Sequence, residues 1–158
     1  MSSMPVQPRI EQLAERPDLL PSVAHWIYNQ WWTSVAGANV NTLTELLRTH
    51  LVLDQIPLTL VASADSRPIG TATLIAHDVG TEQWPDLTPW LAALYVVPEC
   101  RGGGVGKALV NAIVSKAAEL GARVLHLTTV DREGFYARLG WSTIHKTPKK
   151  VVMCQRMS

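Results

Sequence analysis

The segment 98–107, Pro-Glu-Cys-Arg-Gly-Gly-Gly-Val-Gly-Lys, constrains this chain more than any other, because four glycines fall within five positions between two strongly patterned stretches. Ahead of it, residues 90–97 form an almost wholly apolar run, the pattern of a strand buried on both faces. Behind it, Val105, Ala108, Leu109, Ala112, Ile113, Ala117 and Leu120 share one face of a helix predicted over 105–120, with Gly121 following as its terminating residue. A strand-to-helix turn needs one or two glycines. A run of them lets consecutive N–H groups converge on one point, and the helix N-terminus adds partial positive charge. Such a turn binds anions, phosphate above all. Arg101 and Lys107 bracket it with full charges.

Spacing narrows the ligand. A Walker A loop requires glycine where Arg101 stands and serine or threonine where Ala108 stands. A dinucleotide fingerprint requires glycine at 107 or 109 and meets Lys107 or Leu109. Both are excluded.

The rest of the chain accommodates one domain over 1–158, and 47% hydrophobic against 17% charged residues supply a core. No apolar run approaches the roughly 20 residues of a membrane helix. The opening Met-Ser-Ser-Met-Pro-Val-Gln-Pro lacks the layout of a secretory leader, so a cytoplasmic protein without membrane contact is expected. Cys100 and Cys154 make no disulfide framework, and no His or Cys pair has metal-ligand spacing, so no metal is expected. The formal charge of +1 argues against nucleic acid as partner. That charge is unevenly spread: residues 1–79 hold four basic and seven acidic side chains, residues 80–158 ten and six. The basic half contains the candidate anion site.

Periodicity predicts a helix over 18–32 capped by Asp18, and a second over 42–51 with Thr42 as cap and Glu45 completing a capping box. A hairpin follows, 58–62 and 69–77 joined at 65–68, then an irregular loop over 78–89. After the glycine turn and its helix come a strand at 124–129, a short helix from Asp131 to 139, and strands at 141–145 and 151–156. The order is α+β with one crossover unit.

The spacing Arg101-x-x-Gly104-x-Gly106 resembles the GNAT superfamily of N-acetyltransferases. The resemblance covers about 58–157. It is strongest at Leu-Tyr-Val-Val-Pro-Glu-Cys-Arg-Gly-Gly-Gly-Val-Gly-Lys-Ala-Leu (94–109), similar to that family's acetyl-coenzyme A signature, and at Gly-Phe-Tyr-Ala-Arg-Leu-Gly-Trp (134–141). It implies a mixed, largely antiparallel central sheet with helices on both faces and a coenzyme A-binding core at about 90–140. Strands 90–97 and 124–129 would splay into a V. It further implies that the pantetheine arm pairs with backbone groups of Tyr95, Val96 and Val97. The pyrophosphate would lie on the amides of Gly102, Gly103, Gly104, Val105, Gly106 and Lys107, supported by Arg101.

By the same resemblance Tyr136 is the general acid that protonates the departing thiolate, a task suited to a phenol that stays protonated at neutral pH. The chain departs from the family in two places. Thr129 stands where many members place a cofactor-contacting asparagine, with Thr128 and Asp131 as further candidates. Strand 90–97 has no carboxylate to act as general base, which leaves Glu82 or Asp86 on the loop, His77, or a water chain. Trp84 and Trp90 flank that loop and are expected to wall an amine acceptor by apolar and cation–π contact. His25, His50, His126 and His145 read as packing or surface residues. Cys100 precedes the phosphate turn, on the wrong side for a nucleophile.

The expected activity is acetyl transfer from acetyl-coenzyme A to a primary amine of a small molecule or peptide, by direct attack in a ternary complex. The alternative is a coenzyme A-binding regulatory or interaction module without chemistry. The acidic half favours a neutral or cationic amine, and a monomer or homodimer is expected.

Overall fold

The computed structural model describes residues 7–157; the opening segment 1–8, read above for a secretory leader, lies almost wholly outside them. Seven strands form one sheet in the order β1-β2-β3-β4-β5-β7-β6. They are β1 (Arg9–Gln12), β2 (Leu58–Ala64), β3 (Arg67–Ile75), β4 (Trp90–Val96), β5 (Val124–Thr129), β6 (Ser142–Lys146) and β7 (Val151–Arg156). Every neighbouring pair is antiparallel except β4 and β5. The mixed, largely antiparallel sheet is therefore present as expected. Among the described residues, no helix is long and apolar enough to cross a membrane.

Alternation along the strands assigns the two faces. Leu58, Leu60, Ala72, Leu74, Leu125, Leu127 and Met153 turn to one side, where they pack with α3 (Val105–Glu119) and α4 (Glu133–Arg138). On the other side Val61 meets α1 (Leu20–Ile27) and α2 (Val40–Arg48), whose Val23, Ile27, Leu43 and Leu47 are buried. On that face a buried polar chain runs beneath the end of α2: His50 Nδ1 to Thr59 Oγ1 at 2.8 Å, and Thr59 Oγ1 to Thr73 Oγ1 at 3.0 Å.

Several boundaries differ from expectation. The helix predicted over 18–32 divides into a 3-10 turn (Pro17–Leu19), α1, and a π-helical turn (Tyr28–Trp32). Asp18 does not cap it, because its carboxylate receives Arg16 Nε at 3.1 Å. The second helix starts earlier: Asn39 Oδ1 accepts the Thr42 N–H and Thr42 Oγ1 accepts the Asn39 N–H, each at 2.9 Å. Asn39 wins the cap by this reciprocity, and Glu45 pairs with Arg48 instead. The hairpin turn is two residues, Asp65 and Ser66, both at positive φ (51° and 64°), as a type I′ turn requires. It carries no glycine, and it is two residues shorter than the join expected at 65–68. Strand β1 was not anticipated. It is four residues long and charged at alternate positions, and it exists by pairing with β2.

Candidate active site

The centre of the sheet is open. Strands β4 and β5 share one register pair, Trp90 with His126, and diverge beyond it. The divergence has a visible local cause. Against β3, Tyr95 pairs with Thr71 and Ala92 with Thr73, so Ala93 and Leu94 together face the single residue Ala72. This is a bulge, and Ala93 sits in it at φ 55°, a strained value for a side-chain-bearing residue. A bulge bends its strand and increases local twist, which carries the end of β4 away from β5.

The opening corrects one expectation. Trp90 and Leu91 are buried, but 92–96 are half-buried rather than enclosed on both faces. Their apolar pattern lines an opening, which one-dimensional patterning cannot distinguish from a buried strand. Of the three backbone positions expected at its edge, Val97 already donates its N–H to the Ile69 carbonyl at 2.9 Å. By antiparallel alternation Tyr95 also turns towards β3 and Val96 turns towards the opening.

At the mouth of the V stands the glycine turn. Gly102 and Gly104 have φ of 83° and 91°, the left-handed region that penalises other residues, and Gly104 is the N-cap residue of α3. The first helical bond is Ala108 N–H to Gly104 O at 3.0 Å. Among the described residues, the N–H groups of Gly102, Gly103, Gly104, Val105, Gly106 and Lys107 find no protein acceptor. Six unpaired donors at the positive end of a 15-residue helix are the arrangement that favours an anion. Lys107 is exposed beside them. Arg101 turns back instead: its Nε donates to the Val96 carbonyl at 2.8 Å and its guanidinium lies 5.5 Å from the Tyr95 ring centre. It braces the turn against the strand edge.

Helix α3 can sit this close because Gly70 on β3 has no side chain. A Cβ there would lie 2.9 Å from the Tyr95 carbonyl oxygen and 3.0 Å from Leu109 Cδ1. Nothing in its sequence neighbourhood marks Gly70 as a packing site.

Tyr136, on α4, is 6% exposed and packs edge-on against Phe135 and Trp141. Burial pushes its phenol up to about 12, with Arg132 opposing weakly. Among the described residues its hydroxyl meets no hydrogen-bond partner, while the one sealed side-chain polar atom without a partner is Trp141 Nε1. Tyr136 is thus a protonated phenol with a free donor. Thr129 Oγ1 accepts the Arg132 N–H at 3.0 Å, which positions the start of α4. Asp131, expected as cap of this helix, is not, because the helix begins two residues later behind Arg132.

The loop residues lie elsewhere. Trp90 is fully buried, with Nε1 donating to the Leu87 carbonyl at 2.7 Å, so it offers an acceptor no surface. Trp84 stacks on His145 with ring centres 5.4 Å apart, and Lys150 Nζ lies over the Trp84 ring, 5.8 Å from its centre. The aromatic wall expected from Trp84 and Trp90 is therefore not formed: one ring fills the core and the other pins the loop to the β6–β7 turn. Glu82 lines an open recess of about 520 Å³ with Gln83, Lys149 and Lys150. Its carboxylate accepts the Gly80 N–H, and backbone N–H donors hold it below the usual range, a poor setting for a base. Asp86 is exposed. Asp78, which sequence reasoning passed over, is pushed up by burial, but its Oδ1 accepts the Val79 N–H and Lys150 lies nearby, which suits a loop anchor.

Residues 23–141 match the acetyltransferase (GNAT) family profile. Over 128 residues the chain is 30% identical to mouse (Mus musculus) N-alpha-acetyltransferase 80; the match covers 80% of this chain and only 38% of that protein's length. Among solved structures, the PaiA N-acetyltransferase of Thermoplasma acidophilum in complex with coenzyme A superposes with a TM-score of 0.67 at 21% identity, covering 96% of this chain and all of the other. An aminoglycoside 6'-N-acetyltransferase complexed with coenzyme A gives 0.72 at 14% identity, covering 94% and 96%.

Proposed function

The chain belongs to the acetyltransferase (GNAT) family, and from that premise we propose that it transfers the acetyl group of acetyl-coenzyme A to a primary amine by direct attack in a ternary complex. The observation that carries this reading is the single β4–β5 rung opening towards the unpaired amides of Gly102–Lys107. An extended amide arm fits a strand edge of that kind, and a pyrophosphate fits the amides. Lys107 adds charge, and Arg101 holds the two halves of the cofactor site in register through Val96. Tyr136 gives its proton to the departing thiolate, consistent with a phenol that burial keeps protonated and no protein group engages. Thr129 acts on it indirectly, by fixing the start of α4.

The acceptor is an amine of a small molecule or peptide that enters from the α1–α2 side of the sheet, and the acidic excess of the first half of the chain favours a neutral or cationic one. Coenzyme A titration by calorimetry, followed by thiol release from acetyl-coenzyme A with a panel of primary amines, tests the proposal. Saturable binding with amine-dependent release is expected. The absence of a carboxylate on β4 favours a second reading, a binding module without chemistry, and tight coenzyme A binding with no thiol release from any amine would establish it.

A further inference from the structure

Direct transfer leaves one task unassigned. An amine that arrives as an ammonium must lose a proton before its nitrogen has a lone pair; β4 carries no carboxylate, and on the loop Glu82 is tied to the Gly80 N–H and Asp78 to the Val79 N–H. Resting on the acetyltransferase reading above, we propose that His126 is the catalytic residue that takes this proton, through Nε2, on the face of the sheet opposite Tyr136.

The position comes first. His126 forms the one β4–β5 rung, so it stands at the apex of the V into which the thioester must point. Leu125 and Leu127 face the core shared with α3 and Tyr136, so His126 between them faces the other side. Acid and base are thereby separated by the sheet opening, one beside the leaving sulfur and one beside the entering nitrogen.

The tautomer is set by its partner. His126 Nδ1 lies 3.1 Å from the Pro89 carbonyl, which only accepts, so Nδ1 carries the hydrogen and Nε2 the lone pair. Among the described residues Nε2 has no protein partner, yet it is not sealed from solvent, as Trp141 Nε1 is. Its surroundings favour the neutral ring. From β4 and the preceding loop it meets Trp90, with ring centres 5.4 Å apart, and Pro89; from β7 its register partner is Cys154; along β5 the next residue on its face is Thr128. None is a carboxylate or a cation, and burial holds the imidazole below its ordinary pKa. The other buried histidine, His50, has its Nδ1 engaged with Thr59 beneath α2.

The step balances without a further reagent. Nε2 takes one proton from the ammonium and passes it to solvent. The freed lone pair forms the C–N bond while the C–S electron pair leaves on sulfur. Tyr136 gives sulfur its proton and is restored, through water, by the second proton the acylated nitrogen sheds. The net products are the amide, the thiol and one proton.

His126→Asn preserves a donor for Pro89 and removes the base; His126→Gln, with its amide at the Nε2 position, is the second variant. Thiol release would be followed from pH 5.5 to 9.5 with amino-acid amides and with more basic alkylamines, alongside coenzyme A calorimetry and thermal unfolding. The expected result is a loss in kcat/KM on the order of 10²-fold or more at pH 7. It should shrink as pH rises and be smaller for the less basic amides, with coenzyme A affinity unchanged. A wild-type pH profile in both variants, or a loss uniform across pH and acceptors, overturns the assignment while leaving acetyl transfer intact. If the wild-type protein itself releases no thiol, the acetyltransferase reading fails first and this one with it.

Discussion

Replacing Gly70 by alanine puts a methyl group in place of a hydrogen at the closest approach of α3 to the sheet. The new Cβ would meet the Tyr95 carbonyl oxygen at 2.9 Å, Leu109 Cδ1 at 3.0 Å and Val105 Cγ1 at 3.4 Å. The first contact is with backbone and cannot rotate away. The other two belong to side chains that are 0% and 1% exposed, enclosed on all sides. Something must move, and overpacking of this kind costs about 1–3 kcal/mol. The alanine regains roughly 0.4–1 kcal/mol by restricting the unfolded chain. Taking the middle of each range, the net is a destabilisation of about 1.3 kcal/mol, which at roughly 2–4 °C per kcal/mol for a domain of this size lowers Tm by about 3–5 °C. Gly106→Ala is the matched control. Its Cβ would find Phe135 Cζ at 3.7 Å and Val96 Cγ2 at 3.8 Å, ordinary contacts, and it lies within α3, where alanine is favoured over glycine by up to about 1 kcal/mol. Thermal and urea unfolding of the two variants should therefore move in opposite directions. A Gly70→Ala protein that melts at the wild-type temperature would refute the claim that this glycine sets the helix–sheet distance.

Other outcomes follow from the same geometry. Tyr136→Phe should lose at least 10²-fold in kcat with coenzyme A affinity and Tm nearly unchanged, since the hydroxyl has no protein partner to lose; single-turnover kinetics and calorimetry read both. Thr129→Val removes the acceptor of the Arg132 N–H and should cost about 1 kcal/mol in urea unfolding, with a fall in kcat as α4 loosens. His50 is lowered to about 4 by burial, so the folded state prefers the neutral ring. Its contribution is intact above the unfolded value of 6.5 and is lost as pH falls from there towards 4, up to about 3 kcal/mol. His50→Gln should flatten that limb of the stability-against-pH curve.

What the sequence displayed was local. The glycine turn, α3 and its Gly121 terminus are encoded within a few residues of where they act, and each is where the pattern placed it. The misjudged features depend on distant partners. Trp90 looked like a pocket wall because its burial depends on how Leu87 and Pro89 fold over it. Gly70 is an unremarkable strand residue until α3 lands on it. The bulge at Ala93 has no glycine or proline to announce it, and without the bulge 92–96 read as interior. His126 looked like packing because its meaning comes from a strand pairing more than thirty residues away. Asn39 takes the cap from Thr42, the residue expected there, through a reciprocal pair of hydrogen bonds between the two.

The lone rung between Trp90 and His126 also bears on how the chain comes into being. The strands on either side of it are contiguous halves of the sequence: β1 to β4 are neighbours in the order in which they are made, with no later strand between them. A chain emerging N-terminus first can complete that ladder of sequential pairings before any of β5 has been synthesised, since domains and their parts fold as the chain appears. The second half then has to match its predecessor at one backbone position, with α3 as the shared surface on which both halves settle. A site that lies across such a seam is assembled last, and a nascent chain halted before β5 would carry the anion-binding turn but no apex, no proton acceptor and no acid.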